Sequence, residues 1–170
     1  MTAEAQARKA RKEARMQARR AQLALKRQDH GGPLAWRGWF DGSAHPNPGK
    51  LGIGALLLGP NGERIEVSET AGHGSSSDAE YAALIAVLQA AQAVRPPPVQ
   101  LLLFGDSQVV INDVLRTTPA SAKGLETQRA TVVALLEQFT EVSLRWLPRH
   151  RNGEADRLSQ LAIAGWVEKD

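Results

Sequence analysis

Four carboxylates, Asp41, Glu80, Asp106 and Asp156, fall where one expected element gives way to the next. Each has an ordinary explanation on its own. Asp41 precedes Gly42 and could open a turn, while Asp106 follows Gly105 and could cap the helix after it. Ser77-Asp78-Ala79-Glu80 fits the S-x-x-E capping box, and Asp156 could simply favour the positive end of a helix. Their joint placement points elsewhere: Asp41 and Asp106 close two strands expected to be neighbours, and Glu80 lies on a helix expected to cover them. Carboxylates drawn together without a cation repel one another and must take up protons, which a shared divalent ion avoids. Hard oxygen ligands favour magnesium or manganese. The chain has no cysteine, so thiolate zinc sites and disulfides are excluded and a reducing compartment is favoured.

The hydrophobic pattern supplies elements to carry these acids. Strands are expected at Ala35 to Phe40, Ile53 to Leu58 and Arg64 to Thr70, with Gly- and Pro-rich punctuation after the first and a short turn, Gly59 to Gly62, after the second. Ala79 to Val94 is apolar on almost every side, as in a helix buried against a sheet, and Pro96 to Pro98 end it. Val99 to Phe104 is a continuous apolar run, the mark of a strand covered on both faces, and a helix is expected from Ser107 to about Arg116. A further helix, from about Leu125 to Phe139, leads to the alternating strand Val142 to Trp146. After Leu147 to Gly153 a last helix runs to about Trp166. The order is βββαβααβα. Trp36, Trp39 and Trp146 lie on strands, where aromatic residues more often pack than stack on bases, and none is assigned a binding role.

A length of 170 residues suits one domain with an appendage. Thr2 to Arg27 is built almost wholly of strong helix formers without an apolar stripe, and the breakers in His30 to Leu34 follow it. Residues 1–33 are therefore read as a basic helical extension and linker, and residues 34–170 as the folded domain. The net charge of +3 is uneven: residues 1–30 hold nine Lys or Arg against three acids, and residues 31–170 hold twelve against fifteen. An acidic body repels nucleic acid unless bound cations offset its carboxylates. The extension's positive excess suits nonspecific attraction to phosphates. Its apolar side is too weak for membrane insertion, and Glu4, Glu13 and the lack of serine argue against a transit peptide. No apolar run approaches the roughly 20 residues that span a bilayer, and no secretory signal opens the chain, so a soluble cytoplasmic protein with no membrane partner is expected.

The segment DGSAHPNPGKLGIG (Asp41 to Gly54) resembles the opening motif of the type 1 ribonucleases H, in which an Asp closes the first strand and a Pro- and Gly-rich loop leads to the second. DAEYAALIAVL (Asp78 to Leu88) resembles the helix bearing that family's catalytic Glu, and GDSQVVIN (Gly105 to Asn112) resembles its strand-end Asp. LPRHRNGEADRLSQLA (Leu147 to Ala162) resembles the R-x-x-N-x-x-A-D form, placing Arg149, Asn152, Ala155 and Asp156. The resemblance spans roughly residues 35 to 166. It implies an α/β, ribonuclease H-like fold: a five-stranded mixed sheet, three antiparallel strands then two parallel, flanked by helices.

The activity it implies is endonucleolytic hydrolysis of the RNA strand of RNA–DNA hybrids with two Mg2+ ions, Mn2+ being a substitute, leaving 5′-phosphate and 3′-hydroxyl ends. Asp41, Glu80, Asp106 and Asp156 are then at once catalytic residues and metal ligands. Asp41 bridges both ions, Asp156 completes the site that activates water, and Glu80 and Asp106 complete the site facing the leaving oxygen. Substrate contacts are assigned to Ser43 and Asn47 in the first loop, to Ser75 and Ser76 where the family often has Thr-Asn-Asn, and to Gln108, Arg149 and Asn152. The 2′-hydroxyl is read by Glu80, Gln108 and nearby backbone. Besides Ser75, Ser76 and Ser77 in place of Thr-Asn-Asn, two departures stand out: a short loop offers only His150 where some members carry a His that helps product leave, and Thr117 to Gly124, with Lys123 alone, lacks the basic protrusion of other members. A monomer is expected, with double-stranded RNA open as a second substrate. The alternatives are a noncatalytic hybrid-binding domain, which should have lost an acid of the cluster, and another nuclease of the superfamily, against which the motif around Asp41 argues.

Overall fold

Strong helix formers from Ala3 onward, and then alternating apolar and small residues from Trp36, divide the chain into two units, Met1–Gly32 and Pro33–Asp170. The computed structural model describes residues 2–116 and 124–167. The first unit is a single helix, α1 (Ala3–His30), which continues past the expected end at Arg27 until Gly31 takes a left-handed φ of 61°.

The second unit holds β1 (Trp36–His45), β2 (Gly49–Leu58), β3 (Arg64–Gly74), α2 (Ser76–Gln92), β4 (Gln100–Gly105), α3 (Gln108–Leu115), α4 (Glu126–Leu136), β5 (Glu141–Trp146), a 3-10 turn at Arg149–Arg151, and α5 (Gly153–Val167). One sheet has the order β3-β2-β1-β4-β5, with β1, β2 and β3 antiparallel in sequence and β4 and β5 parallel to β1 and to each other. This is the mixed five-stranded sheet expected from the sequence.

Helix α2 lies on one face, where its Tyr81, Leu84, Val87 and Leu88 are fully buried with Phe40, Leu57, Leu101 and Leu103 of the sheet. Helix α5 lies on the other face and comes close because β2 offers glycine there: a Cβ on Gly54 would stand 2.2 Å from the carbonyl oxygen of Ala155. Side chains alternate along a strand. Asp41, paired with Gly54, therefore faces α5, and Gly42 faces α2.

The boundaries differ from the expected ones chiefly at the hairpin. Strand β1 runs through Asp41 to His45 and β2 begins at Gly49, so Asp41 sits within a strand instead of closing one. Gly42, Ser43 and Ala44 lack an apolar alternation, but their backbones pair with Ile53, Gly52 and Leu51. Helix α2 starts at Ser76, three residues before the expected Ala79, and α4 stops at Leu136. Residues 117–123, with Lys123 as their one basic residue, lie outside the described residues. No helix among the described residues is long and apolar enough to cross a membrane.

Candidate active site

Three of the four acids come together at the end of the sheet. Asp41 enters from β1, Glu80 from the second turn of α2 and Asp106 from the residue after β4, and each offers an oxygen within 4.8 Å of the others. Gly42 makes the meeting possible, since a Cβ there would lie 2.1 Å from the carbonyl carbon of Ala79 and 2.4 Å from the nitrogen of Glu80. Asp156, in the first turn of α5, lines the same cavity, and its charge reaches Asp41, but it stands outside the group held within 4.8 Å.

The ordinary roles of these acids fall away in three cases. The cap of α2 is Ser75, whose hydroxyl accepts from the Asp78 amide at 3.2 Å while the Ser75 amide donates to Asp78 Oδ2 at 2.8 Å. The capping box thus sits two residues earlier than Ser77 to Glu80, and Glu80 takes no part in it. Ser107, and not Asp106, caps α3 by accepting from Val110 N at 3.3 Å. Asp41 opens no turn.

The electrostatics are those of acids forced together in a dry place. Burial, and next the charge of Asp41, pushes Glu80 up to about 10; burial raises Asp41 to about 6, with Asp106 and Asp156 adding to the rise and hydrogen bonds from Glu80 and Ser159 opposing it. Glu80 Oε2 is buried without a hydrogen-bond partner. An all-oxygen donor set with a buried unpartnered carboxylate oxygen fits a hard divalent cation, which would replace the protons these groups otherwise hold. The cavity they line measures about 300 Å³. A larger one of about 480 Å³ between Trp39, Leu56, Arg64 and the start of α5 holds no such cluster and is mainly apolar.

A family model described as Reverse transcriptase-like matches residues 39–162. Ribonuclease HI of Halobacterium salinarum is 33% identical over 141 residues, covering 82% of this chain and 69% of that protein. The chain belongs to the type 1 ribonuclease H family. The crystal structure of RNase H1 from the same archaeon matches with a TM-score of 0.69 at 31% identity, over 77% of this chain and 98% of that one. The N-terminal RNase H domain of rv2228c from Mycobacterium tuberculosis matches with a TM-score of 0.68 at 27% identity, over 76% of this chain and 98% of that chain.

The other residues singled out by resemblance to ribonucleases H are placed unevenly. Ser43, Asn47, Ser76 and Arg149 line the carboxylate cavity, and Ser43 Oγ is buried without a hydrogen-bond partner. Asn47 and Ser76 hold each other: Asn47 Nδ2 donates to Ser76 Oγ at 3.2 Å, and Ser76 N donates to Asn47 Oδ1 at 3.1 Å. The Ser75 hydroxyl is engaged in the helix cap. Gln108 is exposed at the start of α3 and is not among the cavity's lining residues. Asn152 was expected at the substrate, yet it is 1% exposed and acts from behind, donating through Nδ2 to the Phe40 carbonyl at 2.9 Å and to Asp106 Oδ2 at 3.2 Å. His150 lies exposed in the 3-10 turn.

Two residues were missed. Ser159, fully buried, places its Oγ 2.9 Å from Asp41 Oδ2 and 2.9 Å from the Asp156 carbonyl oxygen, and Gln160 lines the cavity. A helical spacing of three from Asp156 was the available signal for Ser159. Trp146 also acts on the site, its Nε1 donating to the Asp106 carbonyl at 3.0 Å and fixing the backbone that presents this acid.

Proposed function

We propose that this chain hydrolyses the RNA strand of RNA–DNA hybrids, leaving 5′-phosphate and 3′-hydroxyl ends. The observation that carries the proposal is the convergence of Asp41, Glu80 and Asp106 within 4.8 Å, with a buried unpartnered oxygen on Glu80, in a chain of the ribonuclease H family. Asp41, Glu80, Asp106 and Asp156 would hold divalent cations, a pair of Mg2+ or Mn2+ ions. Such ions, when bound, lower the pKa of an attacking water and neutralise charge on the phosphate and the leaving oxygen.

The protein's own part is placement. Asn152 and Trp146 hold Asp106 from its side chain and its backbone, and Ser159 holds one oxygen of Asp41, so the carboxylates meet with little freedom. Arg149 brings positive charge to the cavity wall for a phosphate of the scissile strand. Ser43 lines the same cavity with its hydroxyl buried, so it shapes the wall against which the ribose of the scissile strand would lie. Asn47 and Ser76, joined to each other, line the same cavity and would give a rigid surface for the minor groove.

Incubation of a strand-labelled hybrid with the protein and Mg2+ tests the proposal. Internal cuts in the RNA, with 5′-phosphate ends and the DNA strand whole, are expected. An uncut hybrid that is nevertheless bound, or cutting confined to four-way junctions or DNA ends, would overturn it.

A further inference from the structure

The proposed cutting site leaves the question of how an acidic body grips a polyanion. Residues 31–170 carry twelve Lys or Arg against fifteen acids. Arg64 and Arg157 are engaged with Glu66 and Glu154 at 2.8 to 3.8 Å. Among the described residues lining the carboxylate cavity, Arg149 is the only Lys or Arg.

Helix α1 has the opposite character. Arg8, Lys9, Arg11, Lys12 and Arg15 are all exposed, and Arg8, Arg11, Lys12 and Arg15 stand at i, i+3, i+4 and i+7, which is one face of a helix. The row covers about 10 Å at 1.5 Å per residue. Glu4 approaches Arg8 at 4.0 Å, but both side chains are more than four-fifths exposed, and a pair so solvated neutralises little. Glu13 falls off this face. Like charges at these spacings oppose helix formation unless an anion relieves them. Away from the row, Ala3–Gln17 offers alanine methyls and Met16 interspersed with Gln6, Glu13 and Gln17, too little continuous apolar area to seat in a lipid surface.

We infer that α1 is a phosphate-binding arm, which grips the backbone of a nucleic-acid duplex whatever its sequence or sugar and so supplies affinity that the acidic body lacks. The inference rests on the proposed function only for which duplex is cut. The arm carries no strand choice; it sets how tightly and how salt-dependently the substrate is held.

The test compares the full chain with its variant Arg8→Gln, Lys9→Gln, Arg11→Gln, Lys12→Gln, Arg15→Gln, glutamine being chosen because it keeps helix propensity. Circular dichroism verifies the helix. Binding to a hybrid and to an all-DNA duplex of the same sequence is measured in EDTA across a range of salt. The variant should lose about 0.9 of log–log salt slope for each phosphate contact removed, roughly 2 or more in all, on both duplexes. Its affinity at low salt should fall at least about tenfold while kcat at saturating hybrid in Mg2+ is unchanged. Slopes that agree within about 0.5 would overturn the inference. So would a variant that loses binding to anionic lipid vesicles while keeping duplex binding. Because slopes are read without metal, a chain that fails to cut hybrids would sink the proposed function and leave this comparison standing.

Discussion

Glu80 and Tyr81 are neighbours on α2, and each meets a buried aspartate, but the two meetings differ in kind. Asp113, 1% exposed on α3, accepts a hydrogen bond from the Tyr81 hydroxyl, and Arg129 of α4 donates to the Asp113 carbonyl at 2.9 Å. Burial and the Asp113 partner raise the Tyr81 hydroxyl well above its usual range, which keeps it a donor. One residue earlier in the chain, Glu80 meets Asp41 and Asp106, and its Oε2 is buried without a hydrogen-bond partner. A buried acid supplied with donors completes a helix–helix contact. A buried acid supplied with other acids is stable only as a proton carrier or as a cation ligand.

The widest gap between the two clusters should appear in activity. Asp41→Asn or Asp106→Asn should lower hybrid cleavage by about a thousandfold or more, since each removes a ligand charge from the site that is to bind the catalytic cations. The melting temperature should hold or rise as repulsion is relieved. A variant retaining a tenth of the parent rate would remove the metal reading of the cluster. Tyr81→Phe should do the reverse: it removes the tyrosine donor from the buried Asp113, costs about 1–3 kcal/mol in urea unfolding, and leaves kcat within about twofold.

What the sequence disclosed of this contrast follows from which contacts are local. The elements were legible because apolar periodicity records burial face by face, as in Ala79 to Val94 and Val99 to Phe104. The extension of β1 past Asp41 was not, because Gly42, Ser43 and Ala44 join the sheet by backbone pairing, which carries no side-chain signature. The register of the α2 cap was misread since Ser75, Ser76 and Ser77 are all competent caps, and only Ser75 has Asp78 at the required spacing with an extended backbone. The acids could be marked by motif, but the burial of Asn152 and the bond from Ser159 to Asp41 join residues 112 and 118 positions apart, and nothing local announces them.

Ser159 sharpens the comparison, being a donor given to a cluster otherwise short of donors. Its Oγ holds Asp41 Oδ2 at 2.9 Å from within α5. Ser159→Ala should weaken Mg2+ binding, measured by calorimetry without substrate, by about tenfold, the low end for loss of an outer partner of a ligand. KM for the hybrid should stay near the parent value while kcat falls. Unchanged metal affinity would reduce Ser159 to a packing residue of α5.

The smallest effect concerns protons in the metal-free chain. Glu80 has a folded pKa of about 10 against an ordinary 4.5, so the folded state keeps a proton that the unfolded state releases between those values. Stability from this group is therefore present below about 4.5 and is lost as pH rises toward 10, and Asp41 contributes with the same sign between 3.8 and about 6. In EDTA, unfolding free energy should fall by about 1 kcal/mol from pH 6 to pH 7. Glu80→Gln should flatten that slope and make the metal-free chain more stable than the parent at pH 8, though inactive. Mg2+ should stabilise the parent more at pH 8 than at pH 5, because at the higher pH the cation displaces fewer protons from the cluster. A metal-free parent whose stability climbs from pH 5 to pH 8 would show that Glu80 is already ionised when buried, against the proton-holding reading of the cluster.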